Sequence, residues 1–199
     1  MSAAPPPALR LASVSPRRRE LLAQIGVVHL VTGAHIDESV HPGERPHDYV
    51  QRMARTKAQT VWEQDLSLPV LGADTTVVLD GKVFGKPADR ADGLRMLGLL
   101  SGRTHEVLTA VALASKEGLS MRVSVSAVRF RSLAADEIAA YWETGEPHDK
   151  AGAYAIQGLG AVFIESLTGS FSGVMGLPLF ETSELLRAAG VPCWGTMAV

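Results

Sequence analysis

The sequence has one cysteine, Cys193, among its 199 residues. A disulfide within the chain and a cysteine-based metal cluster are therefore both excluded, and so low a cysteine content is typical of a reducing compartment. No apolar run approaches the roughly 20 residues that a transmembrane helix needs. The proline-rich start MSAAPPPALR also lacks the apolar segment of a signal peptide. We therefore expect a soluble, cytoplasmic protein with no membrane partner.

Strong charge of either sign is also absent. Lys and Arg together number 19 and Asp and Glu 21, which gives a formal net charge of −2. A protein that holds long nucleic acids by bulk electrostatics needs a marked positive excess, so this class is disfavoured. Any phosphate binding has to come from a few placed cations.

Three familiar catalytic patterns are missing from the chain. G-x-x-x-x-G-K-[ST] does not occur, which excludes a Walker-type phosphate loop. G-x-S-x-G does not occur either, so the serines at 170–173 form no nucleophile elbow. The six histidines show no H-E-x-x-H spacing, the zinc-ligand pattern of many metalloproteases.

The composition is that of an ordinary folded protein. Hydrophobic residues make up 46% and charged residues 20%, close to average globular usage. The length suits one large α/β domain, or one domain with two lobes around a cleft. We predict a disordered lead-in over residues 1–8, a single domain over residues 9–192 and a tail over residues 193–199.

Short apolar segments alternate with amphipathic ones, which predicts interleaved strands and helices. The expected strands cover residues 9–13, 29–32, 70–79, 104–115, 121–131 and 161–167, and the expected helices cover 16–26, 46–64, 88–100, 134–143 and 178–189. Asp80-Gly81 is a strong hairpin signal. A change in the phase of the apolar residues at Val128 and Phe130 indicates a bulge or bend. These signals favour a mixed sheet flanked by helices over a purely parallel one.

The segment SVSPRRR at 13–19 lies where the first predicted strand is followed by the first helix. A helix N-terminus attracts anions, and the side chains of Ser13, Arg17 and Arg18 could add to it to cradle a phosphate. A serine N-cap followed by a solvated basic face explains the same residues. Basic charge is unfavourable at a helix start, and this conflict favours the phosphate interpretation.

Asp74 lies within the apolar β run at 70–79. A buried acid is costly unless it is paired or binds a metal, so Asp74 could hold a divalent cation or activate water. The alternative is a structural role in which its carboxylate accepts backbone hydrogen bonds at a strand end.

Other charged residues are weaker signals when taken singly. Lys86 lies in a Gly-Lys-Pro turn that could aim its ammonium, and Lys57 follows two arginines on a predicted helix. Asp37 and Glu38 could supply carboxylate oxygens to Mg²⁺ or Mn²⁺, the usual companions of triphosphates. Taken singly, charges of this kind are more often part of a solvated surface.

The stretch EPHDKAGAYAIQG at 146–158 predicts a glycine-rich loop with several polar side chains. The amide of Gln157 offers both a donor and an acceptor and could therefore read the edge of a base. His148 could act as a base, although a lone histidine is more often structural.

Taken together, these segments resemble the Maf family of nucleotide pyrophosphatases. The matching stretches are LASVSPRRRELL at 11–22, ARTKA at 54–58, LGADTTVVLDGKVFGKP at 71–87, EPHDKAGAYAIQGLGA at 146–161 and GSFSGVMGLPLFET at 169–182. Five motifs in the family's order are far more specific than any one of them. The resemblance implies an elongated mixed α/β sheet flanked by helices, with two lobes around a central nucleotide-binding cleft, as in inosine-triphosphate pyrophosphatases.

The resemblance also implies a reaction, the hydrolysis of a nucleoside triphosphate to the monophosphate and pyrophosphate with Mg²⁺ or Mn²⁺. Asp74 matches the proton acceptor that activates water for attack at the α phosphorus, and it is also expected at the metal. Glu38 matches the acidic residue associated with that metal. The residues that match the triphosphate site are Ser13, Arg18, Lys57 and Lys86.

Base preference is implied by three further matches. Arg17, Thr75 and Gln157 lie where the family branch acting on dTTP and UTP carries Arg, Thr and Gln. The sister branch, which resembles 7-methyl-GTP pyrophosphatases, has a tryptophan after Ser-Pro and a glutamate in place of Gln157. Ala155 and the Phe84-Gly85 pair depart from the family pattern but touch no proposed ligand.

The resemblance suggests a homodimer that clears non-standard nucleotides, including modified pyrimidine forms, or restrains cell division. Two alternatives stay open at this point. One is a non-enzymatic regulator of septum formation or a nucleic-acid binder that uses SPRRR. The other is a pyrophosphatase for a different base, such as 7-methyl-GTP or inosine triphosphate.

Overall fold

The computed structural model describes residues 6–194. Residues 1–5 of the predicted lead-in and residues 195–199 of the predicted tail lie outside this range. Ala8 already joins the fold, because its amide donates to the carbonyl of Val28 at 3.0 Å. No helix in the described range is long and apolar enough to cross a membrane. The assignment of residues 9–192 to a single domain stays a prediction.

Strands and helices alternate along residues 6–194. The strands are β1 (Leu9–Leu11), β2 (His29–Val31), β3 (Val70–Leu79), β4 (Lys82–Phe84), β5 (Thr104–Ser115), β6 (Gly118–Phe130) and β7 (Ile164–Thr168). The α-helices are α1 (Pro16–Gln24), α2 (Pro46–Trp62), α3 (Arg90–Leu100), α4 (Ala135–Glu143), α5 (Phe171–Met175) and α6 (Leu179–Ala188). Short 3₁₀ helices span Glu146–Asp149, Ala151–Ala153 and Leu159–Phe163.

The strands form one mixed sheet in the order β2-β1-β3-β5-β6-β7, with β4 beside β3. β1 runs parallel to both β2 and β3, and α1 and α2 make the connections that parallel strands require. The remaining pairs are antiparallel. Asp80 and Gly81 turn β3 into β4 with φ values of 51° and 73°, the positive angles that a tight hairpin needs. The predicted mixed sheet and hairpin are both confirmed.

Two short strands share one edge of β3. β1 pairs with Val70 and Leu71, and β4 pairs with residues 77–79. Within the described chain, residues 72–76 have no strand partner on this edge, whereas the other edge pairs with β5 over residues 70–78. The sheet therefore has a gap between β1 and β4, and Asp74 lies in the middle of it.

One face of the sheet carries two separate apolar cores. The first packs β1, α1 and α6 against Leu71 of β3, and the second packs α3 and α4 against Val77. Side chains of alternate strand residues share a face, so Thr75 lies on this face between the two cores and belongs to neither. Its neighbour across the ladder is Thr109 of β5. The two cores form the two predicted lobes, with a polar layer between them.

Helix α2 covers the opposite face and comes unusually close to β3 at Gly72. A Cβ atom at this position would collide with the carbonyl oxygen of Ala54 and lie 2.6 Å from the amide nitrogen of Ala58. Only glycine therefore permits this approach. The close contact brings Lys57, on the same turn of α2, to the gap in the sheet.

Most predicted elements are confirmed, but two differ at the C-terminal end of the chain. The strand expected at 161–167 begins at Ile164, because Leu159–Phe163 forms a 3₁₀ helix. Helix α5 was not predicted, since its five residues are too few to show helical periodicity.

The phase change in β6 comes from the helices that cover its two faces, because the ladder of β6 with β5 is unbroken. The pairing of β6 with β7 does shift register between Arg129 and Phe130, but the extra residue lies in β7 and the shift comes after Val128. The helices cover different faces along the strand. Met121 and Val123 pack on the α2 side, and Val128 and Phe130 pack into the core of α3 and α4.

Gly72→Ala is expected to destabilise the fold by about 1–3 kcal/mol or more, because the added methyl group overpacks the contact between α2 and β3. The midpoint of urea unfolding measures the change. Gly98→Ala is the matched control: Gly98 lies in α3 with no atom within 4 Å of a built Cβ, so alanine should stabilise by about 1 kcal/mol. Equal midpoints for the two variants would contradict the close approach.

Candidate active site

A cavity of about 410 Å³ lies over the gap in β3, a size that suits a small-molecule ligand. Its walls come from the β1–α1 junction, β3, the segment after β4, the loop at 149–157 and the end of α5. The structure brings together every residue predicted for the site, namely Ser13, Arg17, Arg18, Glu38, Lys57, Asp74, Thr75, Lys86 and Gln157. Asp37 and His148 do not line the cavity. Asp37 accepts hydrogen bonds from Ser39, and His148 packs on Trp142.

Asp74 and Lys57 form a buried ion pair in the cavity. The ammonium of Lys57 donates to Oδ1 of Asp74 at 2.8 Å, and the two residues are 8% and 7% exposed. The same ammonium lies 2.6 Å from Oε1 of the half-exposed Glu38. Within residues 6–194, Oδ2 of Asp74 accepts no hydrogen bond. Lys57 thus compensates the buried charge, while one carboxylate oxygen of Asp74 remains available to a ligand or water.

The two carboxylates differ in their affinity for a proton. Burial raises the pKa of Asp74 above its usual range, although the charges of Lys57 and Arg18 oppose the change. Burial also acts on Glu38, but there the hydrogen bond and charge of Lys57 outweigh it and lower the pKa. Neighbouring groups whose pKa values are pushed apart commonly divide acid and base roles. Asp74 is therefore the better placed of the two to take up a proton.

The segment that carries Glu38 is held by helix α2. The hydroxyl of Tyr49 donates to the carbonyl of Glu38 at 3.0 Å, and Arg52 donates to the carbonyl of Ser39 at 2.8 Å. Arg52 also binds Glu44 through two hydrogen bonds, of 2.6 and 2.7 Å. Burial, with the charges of Asp74 and Glu38, raises the pKa of Tyr49 to about 12, so its hydroxyl keeps its proton and remains a donor.

Arg18 is held in a fixed orientation on the face of β3 opposite to Asp74. Its Nε donates to the carbonyl of Gly176 at 2.8 Å, and its two terminal nitrogens donate to Ser13 at 3.2 Å and Thr75 at 3.4 Å. The hydroxyl of Thr75 also lies 3.0 Å from that of Thr109. Burial lowers the pKa of Arg18, but a guanidinium stays charged. It is an oriented cation in the polar layer between the lobes.

The geometry separates the two interpretations of SVSPRRR. Ser15 occupies the N-cap of α1 but makes no side-chain cap hydrogen bond. Instead its amide donates to the hydroxyl of Ser13 at 3.2 Å. Arg17 lines the cavity, and burial lowers its pKa. Arg19 is exposed and lies outside the cavity. Two of the three arginines therefore line the cavity, and one is surface charge.

The opposite wall comes from the Gly-Lys-Pro turn and the loop at 149–157. Lys86 follows β4, and the carbonyl of Gly85 beside it accepts a hydrogen bond from the amide of Gly152 at 3.0 Å. This bond ties the two segments together. Lys150 pairs with Asp149 at the cavity wall. Gln157 is exposed there, and its amide makes no hydrogen bond to any described residue.

The cavity concentrates positive charge in a chain whose net charge is −2. Five basic side chains line it, namely Arg17, Arg18, Lys57, Lys86 and Lys150, against the three carboxylates of Glu38, Asp74 and Asp149. This excess suits a compact polyanion such as a triphosphate. Tyr49, Asp149, Lys150 and Tyr154 also line the cavity, although no sequence pattern singles them out. Tyr49 lies within the helix predicted at 46–64.

Metal binding by the protein alone has little support in the described residues. No group of three or more His, Cys, Asp or Glu side chains between residues 6 and 194 is arranged to hold a metal. Asp74 and Glu38 line the same cavity, however, and offer oxygen ligands. Mg²⁺ is commonly held by one or two carboxylates together with substrate phosphates. The donor set therefore fits a metal that arrives with its substrate.

Comparison with known proteins identifies clear relatives. A family model described as Maf-like protein matches residues 8–189. A Bordetella parapertussis protein named dTTP/UTP pyrophosphatase is 56% identical over 198 residues, covering 95% of this chain and 96% of its own. A Methylobacillus flagellatus protein of the same name is 55% identical over 188 residues, covering 94% of each chain.

Among solved structures, the Staphylococcus aureus Ham1 protein is similar with a TM-score of 0.46 and 12% sequence identity. The similarity covers 61% of this chain and 71% of that chain.

Lys57→Met is expected to destabilise the protein by about 3–5 kcal/mol at neutral pH, because it removes the hydrogen-bonded counter-charge of the buried Asp74. The folded-state pKa of Asp74 is raised, so ionisation costs stability as the pH rises through that value. The penalty should therefore shrink when the pH falls below it. Urea unfolding at several pH values tests this, with Lys82→Met at an exposed position as the control. A loss of stability that does not change with pH would contradict the assignment of Asp74 as a buried acid with a raised pKa.

Proposed function

We propose that this chain, which belongs to the Maf family, hydrolyses dTTP and UTP to the monophosphate and pyrophosphate. The observation that carries the proposal is the carboxylate of Asp74, which is buried beside Lys57 with one oxygen free, in a cavity lined by five basic side chains. The high identity to relatives named dTTP/UTP pyrophosphatase, over nearly the whole chain, supports the choice of substrates.

In the proposed reaction Asp74 acts as the general base. Its free oxygen accepts a proton from a water molecule as the water oxygen forms a bond to the α phosphorus. The bond between the α phosphorus and the oxygen bridging to the β phosphate breaks, and pyrophosphate leaves with the electron pair. The raised pKa of Asp74 brings its carboxylate closer to working pH, which favours proton transfer.

The basic side chains stabilise the charge of the triphosphate and of the transition state. Arg18 is held by three hydrogen bonds and needs little reorganisation when phosphate binds. Lys57, Lys86 and Ser13 complete the proposed triphosphate site. Lys57 also keeps the pKa of Asp74 from rising further.

A divalent cation, Mg²⁺ or Mn²⁺, would be held by Asp74 and Glu38 and would neutralise charge on the phosphates. The ionised carboxylate of Glu38 suits this role, since its pKa is lowered. Lys57, which contacts both carboxylates, would then share them with the cation.

Base selection is assigned to Arg17, Thr75 and Gln157. Thr75 lies in the polar layer between the lobes, and Gln157 lies on the opposite wall, where its side-chain amide makes no hydrogen bond to residues 6–194. An amide presents both a donor and an acceptor, as the edge of uracil or thymine requires.

The wider role that we propose follows from this activity. The enzyme would act in the cytoplasm as a homodimer and remove modified pyrimidine nucleotides from the pool, and division arrest would be a consequence of that activity. The single domain over residues 9–192 is part of the same proposal.

Asp74→Asn is expected to lower the rate of pyrophosphate release from UTP by about 10²–10⁴-fold, because the amide cannot accept the proton from water. Release is measured on purified protein with Mg²⁺ or Mn²⁺. Asp80→Asn is the matched control, since Asp80 lies in the turn that ends the same strand and pairs with Arg103 outside the cavity. If Asp74→Asn released pyrophosphate at the wild-type rate, the assigned mechanism would be wrong.

Gln157→Glu is expected to lower kcat/KM for UTP and dTTP by at least about tenfold, because an ionised carboxylate loses the donor that the base requires. Thermal stability should stay unchanged, since Gln157 is exposed and bonds to no described residue. Gln64→Glu, exposed at the end of α2, is the control. A panel that includes GTP, 7-methyl-GTP and inosine triphosphate tests the wild type. A purine preference there would refute the pyrimidine assignment.

A further inference from the structure

The position of Gln157 depends on its backbone, because its side chain binds to no described residue. It lies in a turn between Tyr154 and the 3₁₀ helix at Leu159–Phe163. Nothing holds the amide itself against the cavity. Whatever orients Gln157 must therefore act on the residues before and after it.

Two side chains, Tyr141 and Glu146, bind the backbone on both sides of Gln157. The amide of Ala155 donates to the hydroxyl of Tyr141 at 3.2 Å. That hydroxyl donates in turn to Oε1 of Glu146 at 2.7 Å. On the far side, the amide of Leu159 donates to Oε2 of Glu146 at 2.8 Å, and the amide of Gly160 donates to Oε1 at 2.9 Å. One continuous hydrogen-bond network thus brackets the turn.

The close packing of the turn depends on two glycines. A Cβ atom on Gly158 would collide with the carboxylate of Glu146. A Cβ atom on Gly160 would lie 2.6 Å from the hydroxyl of Tyr141 and 3.0 Å from the carbonyl of Ala155. The backbone is therefore seated directly on these two side chains.

Both side chains are anchored in the lobe formed by α3 and α4. Tyr141 is buried in its apolar core and meets the ring of Phe163 edge to face at 4.8 Å. Partial burial of Glu146 opposes its ionisation, but the hydrogen bonds from Gly160, Tyr141 and Leu159 outweigh it and lower the pKa. An ionised carboxylate has enough lone pairs to accept all three hydrogen bonds.

We propose that Tyr141 and Glu146 are positioning residues that set base selectivity by fixing the turn that carries Gln157. The inference rests on the proposed pyrophosphatase activity. Neither residue lines the cavity, so both act on the substrate indirectly, through the turn that carries Gln157.

Tyr141→Phe is the primary test, because it keeps the buried ring and removes only the hydroxyl that links Ala155 to Glu146. We expect the ratio of kcat/KM for UTP to that for GTP to fall about tenfold or more, since a small displacement of a recognition group is costly. The ratio should fall because kcat/KM for UTP decreases, whereas kcat/KM for GTP should change by less than about twofold.

A double-mutant comparison separates positioning from a general structural role. In a Gln157→Ala background, Tyr141→Phe should leave the UTP to GTP ratio unchanged, because the group that it positions is gone. Equal losses for both nucleotides, or the same change in ratio with and without Gln157, would overturn the inference.

Glu146→Gln provides a second variant with a matched control. The substituted amide offers a single acceptor oxygen to the three donors, so selectivity should fall as in Tyr141→Phe. Glu143→Gln removes a carboxylate at the end of α4 that pairs with the exposed Arg90, and its ratio should equal that of the wild type. A wild-type ratio in Glu146→Gln, with the fold intact by circular dichroism, would count against the proposal.

The same measurements keep the two proposals apart. A wild type that prefers GTP would refute the pyrimidine assignment, whereas the positioning role would still be judged by the dependence of Tyr141→Phe on Gln157. A wild type that cleaves neither nucleotide would overturn both.

Discussion

A carboxylate buried in a β-strand needs a compensating charge, and Lys57 supplies it to Asp74 at 2.8 Å. That contact exists because α2 lies against β3 at Gly72, where any side chain would collide with the helix backbone. The same ammonium binds Glu38 and lowers its pKa. The close approach of α2 to β3 therefore compensates the charge of Asp74, the proposed base, and lowers the pKa of Glu38. It also brings the segment that carries Glu38 to the cavity.

The gap in the sheet beside residues 72–76 of β3 gives Asp74 access to a ligand. β1 and β4 occupy the two ends of one edge and leave residues 72–76 without a strand partner in the described chain. Thr75 and Thr109 interrupt the apolar packing at the same level and separate the two cores. Because Asp74 and Thr75 point to opposite faces, the strand edge presents the proposed base on one side and a selectivity group on the other.

Much of the fold was predictable from local patterns. β3 and β5 have the predicted ends, since long apolar β runs bounded by turn residues leave little choice. Local patterns did not predict α5 or the 3₁₀ helix at Leu159–Phe163, which are too short to show periodicity. For the site, Asp74 stood out because it conflicts with its apolar surroundings, and the amide of Gln157 suggested base reading. Lys57 and Lys86 were weak signals singly and acquired roles through resemblance to a family.

By itself, the sequence determined the longer strands and helices and that a buried Asp74 requires a partner, because side-chain period and the cost of burying charge are local properties. Only the tertiary structure decided what that partner is and which residues face the cavity. In the sequence Lys57 is a weak signal on a predicted helix, and no pattern indicates that the hydroxyl of Tyr141 contacts Ala155 and Glu146. The contacts of Lys57 with Asp74 and of Tyr141 with Ala155 join different elements of the fold, so no local pattern encodes them.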